Sequence, residues 1–103
     1  MIAHHYHALT LVAQSASYTV SNPCTVTEAR EQVEHSIQTL RSIDPDFAPT
    51  NWLGADTAML VRRRDGRTVY FLVHPCDDQC AALRRTLLGH EDLARAARVA
   101  RVG

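Results

Sequence analysis

The stretch TAMLVRRRDGRTVYFLVH, residues 57–74, constrains the fold more than any other part of the chain. Two alternating runs rich in apolar residues flank Asp65-Gly66, a dipeptide that favours a two-residue type I′ turn because both central positions need positive φ. The pattern predicts a β-hairpin with Arg64 opposite Arg67, Arg62 opposite Val69, Leu60 opposite Phe71 and Ala58 opposite Val73. Its other face carries Arg63 with Thr68, Val61 with Tyr70, Met59 with Leu72 and Thr57 with His74. Both faces near the base are therefore apolar. An antiparallel sheet with helices on one side only leaves its other face polar. These strands need a helix on each side, or a second chain over one of them.

The rest of the chain supplies the partners. HHYHALTLVAQ, residues 4–14, alternates as a strand with His7, Leu9 and Leu11 on one face. A short strand is expected around Tyr18–Val20, ended by Asn22-Pro23. Thr25 followed by Glu28 is a capping box. Beyond it Val26, Ala29, Val33, Ile37 and Leu40 form one helical stripe, which Asp44-Pro45 ends. DPDFAPTNWLGAD, residues 44–56, reads as a long connection. After Pro75 a helix is expected to about Leu88, with Gly89 as its left-handed C-terminal cap. HEDLARAARVARV then reads as a last helix. The fold class is α+β: a small antiparallel sheet that includes the 57–74 hairpin, packed with about three helices on one face, in the order β(β)-α-β-β-α-α. Residues 1–103 form a single globular domain, and a chain of that size removes roughly 60–70% of its unfolded surface from water without a staple.

The densest chemistry is HPCDDQC, residues 74–80. Read as a helix, it places Cys76 and Cys80 four apart on the stripe that Leu83 and Leu87 continue. Free cysteine packs as a small apolar residue, so both thiols are expected under the sheet, with Asp77 or Asp78 capping. The alternative is a zinc or thiol sensor on His74, Cys76 and Cys80. It would need a fourth ligand from His5, His7 or Cys24, and the paired C-x₂-C or H-x₃-H hooks of common zinc sites are missing. No metal and no other cofactor is expected. A reactive thiol is disfavoured because Asp77 and Asp78 oppose the helix N-terminus that would ionise it.

Charge is balanced overall but not locally: residues 1–56 carry two Arg against six acids, and residues 57–103 nine Arg against five. Arg62, Arg63, Arg64 and Arg67 crowd the hairpin tip, and Arg95, Arg98 and Arg101 line the last helix. With Tyr70 and Trp52 as aromatic anchors, these are the expected partner-binding residues. Phe47 and Trp52 could equally fold down as a lid on the core. A net charge of zero argues against nucleic acid as the first choice of partner, since nonspecific binders carry a net basic domain.

No base or oxyanion donor is placed beside a nucleophile, and Gly66 and Gly89 belong to a turn and a cap rather than a phosphate loop. The chain is not expected to be an enzyme. The reading is a non-catalytic protein-binding module, an inhibitor or adaptor that occupies a partner protein's surface or forms a homodimer. Small inhibitors of bacterial defence complexes carried by phages or mobile elements are one analogy from size alone. A nucleic-acid-binding regulator using the Arg-rich hairpin is the alternative. With three Cys, no basic leader and no apolar run near ~18 residues, a cytoplasmic protein without a membrane span is expected.

Overall fold

The computed structural model describes residues 4–48 and 52–102, with side chains as far as residue 96. Its elements are β1 (His5–Val12), β2 (Tyr18–Val20), α1 (Val26–Ile43), β3 (Thr57–Val61), β4 (Thr68–Cys76) and α2 (Ala81–Val102). The four strands form one antiparallel sheet in the order β2-β1-β4-β3. The α+β class and the two N-terminal strands match the sequence reading. Two helices stand where about three were expected, in the order β-β-α-β-β-α.

Side-chain alternation assigns one helix to each face. Ala29, Val33 and Ile37 of α1 pack on Ala58, Leu60, Val69, Phe71 and Val73, with Phe47 closing the cluster. The opposite face is served by α2, where Leu83 meets Leu9 and Cys76, flanked by Leu72, Cys80 and Leu87. The expectation of helices on one face is thus corrected to three layers, helix, sheet, helix. That is how both apolar faces of the hairpin acquire cover. The start of α1 is the predicted capping box: Thr25 and Glu28 satisfy each other's backbone N–H. The Thr25 N–H, and then the Thr25 hydroxyl, hold the Glu28 carboxyl below its ordinary value.

The hairpin register differs from the two-residue turn. Leu60 faces Val69 and Ala58 faces Phe71, so the connection is longer, with the Arg62 N–H donating to the Arg67 carbonyl at 2.8 Å. Asp65 explains the change. Its carboxylate accepts from the Arg67 N–H at 3.0 Å and from the Arg62 guanidinium, while Gly66 takes the positive φ of 71°. The register moves by two residues, so no side chain changes face.

Two further corrections concern residues 74–90. Pro75 belongs to β4, paired with Tyr6. Tyr6 exchanges both of its backbone hydrogen bonds with Cys24, so this pair needs no N–H from proline. Gly89 does not end a helix. The two helices expected here are one continuous α2, because a single glycine costs only about 1 kcal/mol against alanine and does not break the turn.

The connection after α1 covers the open edge of β3: Phe47 bridges to Arg62, and Trp52 to Ala58. Phe47 is core and Trp52 is half-buried under the Arg30 guanidinium, 4.0 Å from the ring centre. Among the described residues no helix is long and apolar enough to cross a membrane.

Candidate metal centre

Two pairs of side chains that are far apart in sequence, His5 with His7 and Cys76 with Cys80, meet at one end of the β1–β4 ladder. β1 contributes His5 and His7, which share a face because strand side chains repeat every two residues. In the ladder His5 lies opposite Cys76, the last residue of β4. The chain then turns through Asp77–Gln79, where the Cys80 N–H donates to the Asp77 carbonyl at 3.2 Å. The Asp77 side chain caps α2 by accepting from the Ala81 N–H at 2.8 Å. Cys80 thus stands at the foot of α2 in the left-handed region, φ 56°, a conformation that costs a non-glycine residue roughly 1–3 kcal/mol and points to a local demand. That conformation brings its sulfur back over the sheet.

The ligand atoms of His5, His7, Cys76 and Cys80 all lie within 4.8 Å of one another. The two Nε2 atoms are 3.0 Å apart, and the Cys80 Sγ is 3.4 Å from His5 Nε2 and 3.5 Å from His7 Nε2. Around one tetrahedral zinc, with bonds of about 2.0 Å to nitrogen and 2.3 Å to sulfur, donors lie about 3.3 Å apart for N–N and about 3.5 Å for N–S. His5, His7 and Cys80 stand close to those separations, and Cys76, within 4.8 Å of all three, is near enough to close on the same ion.

The surroundings support that use. The His7 Nδ1–H donates to the Ser21 carbonyl at 2.8 Å, which fixes the tautomer and leaves the Nε2 lone pair facing the other donors. Ser21 is itself held, its hydroxyl accepting from the Ala8 N–H and donating to the Asn22 carbonyl. His7 and Cys76 are buried, at 4% and 2% exposure, whereas His5 and Cys80 are half-buried, so the cluster has an inner and an outer side. Burial, then the neighbouring Cys76 thiol, push the Cys80 thiol above its ordinary value, with Arg84 opposing weakly. Two thiolates cannot share this pocket comfortably by themselves, and a bound dication reverses that preference.

The sequence-derived candidates are sorted accordingly. Cys76 and Cys80 join the cluster, but His74 does not. Its Nε2 lies 2.8 Å from the Thr86 hydroxyl, which spends its own proton on the Ala82 carbonyl. His74 therefore donates from Nε2, and its buried Nδ1 has no hydrogen-bond partner among the described residues. Burial holds this imidazole below its ordinary pKa. Cys24 is also outside the cluster, with its thiol directed to the Tyr6 carbonyl at 3.4 Å. The sequence offers His5 or His7, an H-x-H pair on one strand face, as the source of a single fourth ligand, whereas the structure brings both to the cluster. The signal for the pair was present: two imidazoles on the buried face of a strand, continued by Leu9 and Leu11.

Two of the four hairpin arginines are engaged in ion pairs within the chain. Arg62 holds Asp65 at 2.6 Å and Asp44 at 3.5 Å, and Arg64 holds Asp44 at 3.0 Å and Asp46 at 3.7 Å. The Asp65 carboxyl is held far below the usual carboxylate range, chiefly by Arg62 and then by the Arg67 N–H. At Asp44 burial works upward, but the Asp46 N–H and the Arg64 and Arg62 guanidiniums outweigh it and the net shift is downward. Arg63 and Arg67 are exposed, Tyr70 is half-buried on the α2 face, and Arg95 is exposed, 4.0 Å from Asp92. The side chains of Arg98 and Arg101 lie outside the described residues.

Comparison with family models, with curated proteins and with solved structures finds no match. The centre rests on its own geometry.

Proposed function

We propose that this chain is a non-catalytic module built around one structural zinc ion, held by His5, His7, Cys76 and Cys80. The observation that carries the reading is the set of donor separations, 3.0, 3.4 and 3.5 Å among His5, His7 and Cys80, with Cys76 at the end of β4 within 4.8 Å of them. A donor set of two thiolates and two imidazoles suits zinc among the available divalent ions. Four protein donors fill its preferred coordination and leave no position for substrate, which is the pattern of a structural rather than a catalytic site. The energetic weight is large. Structural zinc contributes about 10–16 kcal/mol of apparent binding free energy, against about 1.5–3 kcal/mol for burying a side chain such as Leu83.

A module of this kind acts through its surface, and a protein partner suits it better than nucleic acid. Two of the four hairpin arginines, Arg62 and Arg64, are already paired with Asp44, Asp46 and Asp65, which thins the basic surface a phosphate backbone would need.

Metal content decides the matter. Protein purified under reducing conditions and reconstituted with zinc should hold one ion per chain by elemental analysis. Cys76→Ser, Cys80→Ser and His7→Gln should each lose it, while Cys24→Ser and His74→Gln keep it. A reconstituted wild-type chain without stoichiometric metal ends the proposal.

A further inference from the structure

The two helices are attached to the sheet very differently. On the α1 side, three helical residues and six from the sheet and its flanking loop form a continuous buried cluster. On the α2 side only Leu9, Cys76 and Leu83 are buried in the shared cluster, and one of those three is a donor of the metal centre. Farther along, Leu87 packs on the edge of the cluster and Ala94 is buried at 2% exposure, but α2 exposes Leu88 and Leu93 at 59% and 73%, so beyond Leu87 its buried apolar contact in the described part is a single small side chain. The donors bracket its attachment. Cys76 ends the last strand, Cys80 stands immediately before the first helical residue, and the two imidazoles belong to the neighbouring strand. Besides the metal donors, the polar ties of α2 to the sheet and its loops among the described residues are the His74–Thr86 bond and, farther along, the contact of the His90 ring with the Ser17 carbonyl, 3.3 Å away.

Resting on the zinc reading above, the geometry points to a metal-gated helix: zinc clamps α2 onto the sheet, and its loss frees α2 while α1 and the four strands stay folded. The ligand stabilises only the clamped state, because an undocked α2 carries Cys80 away from His5 and His7. Opening also releases Cys80 from its left-handed conformation. The face uncovered contains Leu9 and Leu72, so the metal-free form presents apolar surface that the loaded form hides. The same sheet end thus couples metal occupancy to surface chemistry.

Hydrogen exchange on the full chain, with zinc as the probe, tests this. Free zinc at about 100 times its dissociation constant suppresses opening roughly 100-fold, so amides in the first turns of α2 should exchange roughly 100-fold more slowly than in chelator-treated protein. In the metal-free protein, amides of α1 and of the β1–β4 ladder should keep strong protection, and an apolar fluorescent dye should bind. Cys80→Ser should behave as the metal-free form whether or not zinc is added. If zinc binds one to one but α2 keeps its protection after chelation, the gate is wrong and the structural site stands. Loss of protection throughout the chain on chelation also overturns the gate, since the ion is then needed for the whole fold. Absence of zinc binding removes the reading on which the gate rests.

Discussion

At the residue scale, the most informative atom is the Nδ1 of His7. Because it donates to the Ser21 carbonyl, the imidazole is fixed in the tautomer a metal needs before any ion arrives, and the ring does not have to be reoriented on binding. Ser21 is in turn held by its N–H, which donates to the Ala8 carbonyl at 3.0 Å, and by its hydroxyl, which ties it to the Ala8 N–H and the Asn22 carbonyl. Outer contacts of this type typically alter metal affinity 10- to 100-fold. Ser21→Ala removes no ligand, and it should weaken zinc about 10-fold in competition with a chromophoric chelator while leaving the stoichiometry at one. An unchanged affinity would mean that the backbone carbonyl holds its position without the hydroxyl. The residue scale also explains what was illegible in sequence. Cys76 and Cys80 were read as neighbours on one helical face, whereas Cys76 is extended and Cys80 is left-handed at a helix foot. Helical spacing brought them together for the wrong reason, and nothing local indicates which backbone they adopt.

At the scale of elements, the hairpin and α2 teach opposite lessons about glycine. Gly66 sits at φ 71° in the turn, while Gly89 is within α2, where an added Cβ would meet nothing within 4 Å. Gly66→Ala should therefore destabilise by about 1–2 kcal/mol, and Gly89→Ala should stabilise α2 by up to about 1 kcal/mol, both measurable by denaturant unfolding. The strand faces were legible because a register shift of two residues preserves them. The turn itself was not, because Asp65 prefers its bonds to Arg62 and Arg67 over the tighter loop. That preference has a pH signature. The folded-state carboxyls of Asp65 and Asp44 are both lowered from an ordinary value of 3.8, so their stabilisation is complete above that pH and is lost as pH falls through the lowered values. Thermal stability should drop on acidification below about pH 4. Asp65→Asn should flatten part of that drop and cost stability at neutral pH. An identical pH profile in the variant would show that the tip ion pairs are too solvent-screened to matter.

At the scale of the whole molecule, the metal centre is a product of topology. His5 and Cys80 are 75 residues apart in sequence, and the pairing of β1 with β4 brings them within 3.4 Å. Local pattern finds strands and caps, but it cannot find a site whose two hooks, H-x-H and C-x₃-C, belong to elements joined by a non-local ladder. The three layers were likewise half legible: apolar residues on both hairpin faces required cover on both, but not which helix would provide it. The thermodynamic consequence is specific. An ion that binds only the native arrangement stabilises it by about 2.7 kcal/mol at 100 times its dissociation constant. In a domain of this size each kcal/mol moves the melting temperature by about 4–8 °C. Zinc should therefore raise the melting temperature by roughly 10–20 °C over chelated protein, and the rise should continue with the logarithm of free zinc. His7→Gln should abolish that dependence, and His74→Gln, which removes a bond to α2 but no ligand, should lower both curves in parallel. The two variants separate a residue that holds the ion from one that only ties a helix to the sheet, since both act on the same face and only the response to zinc distinguishes them.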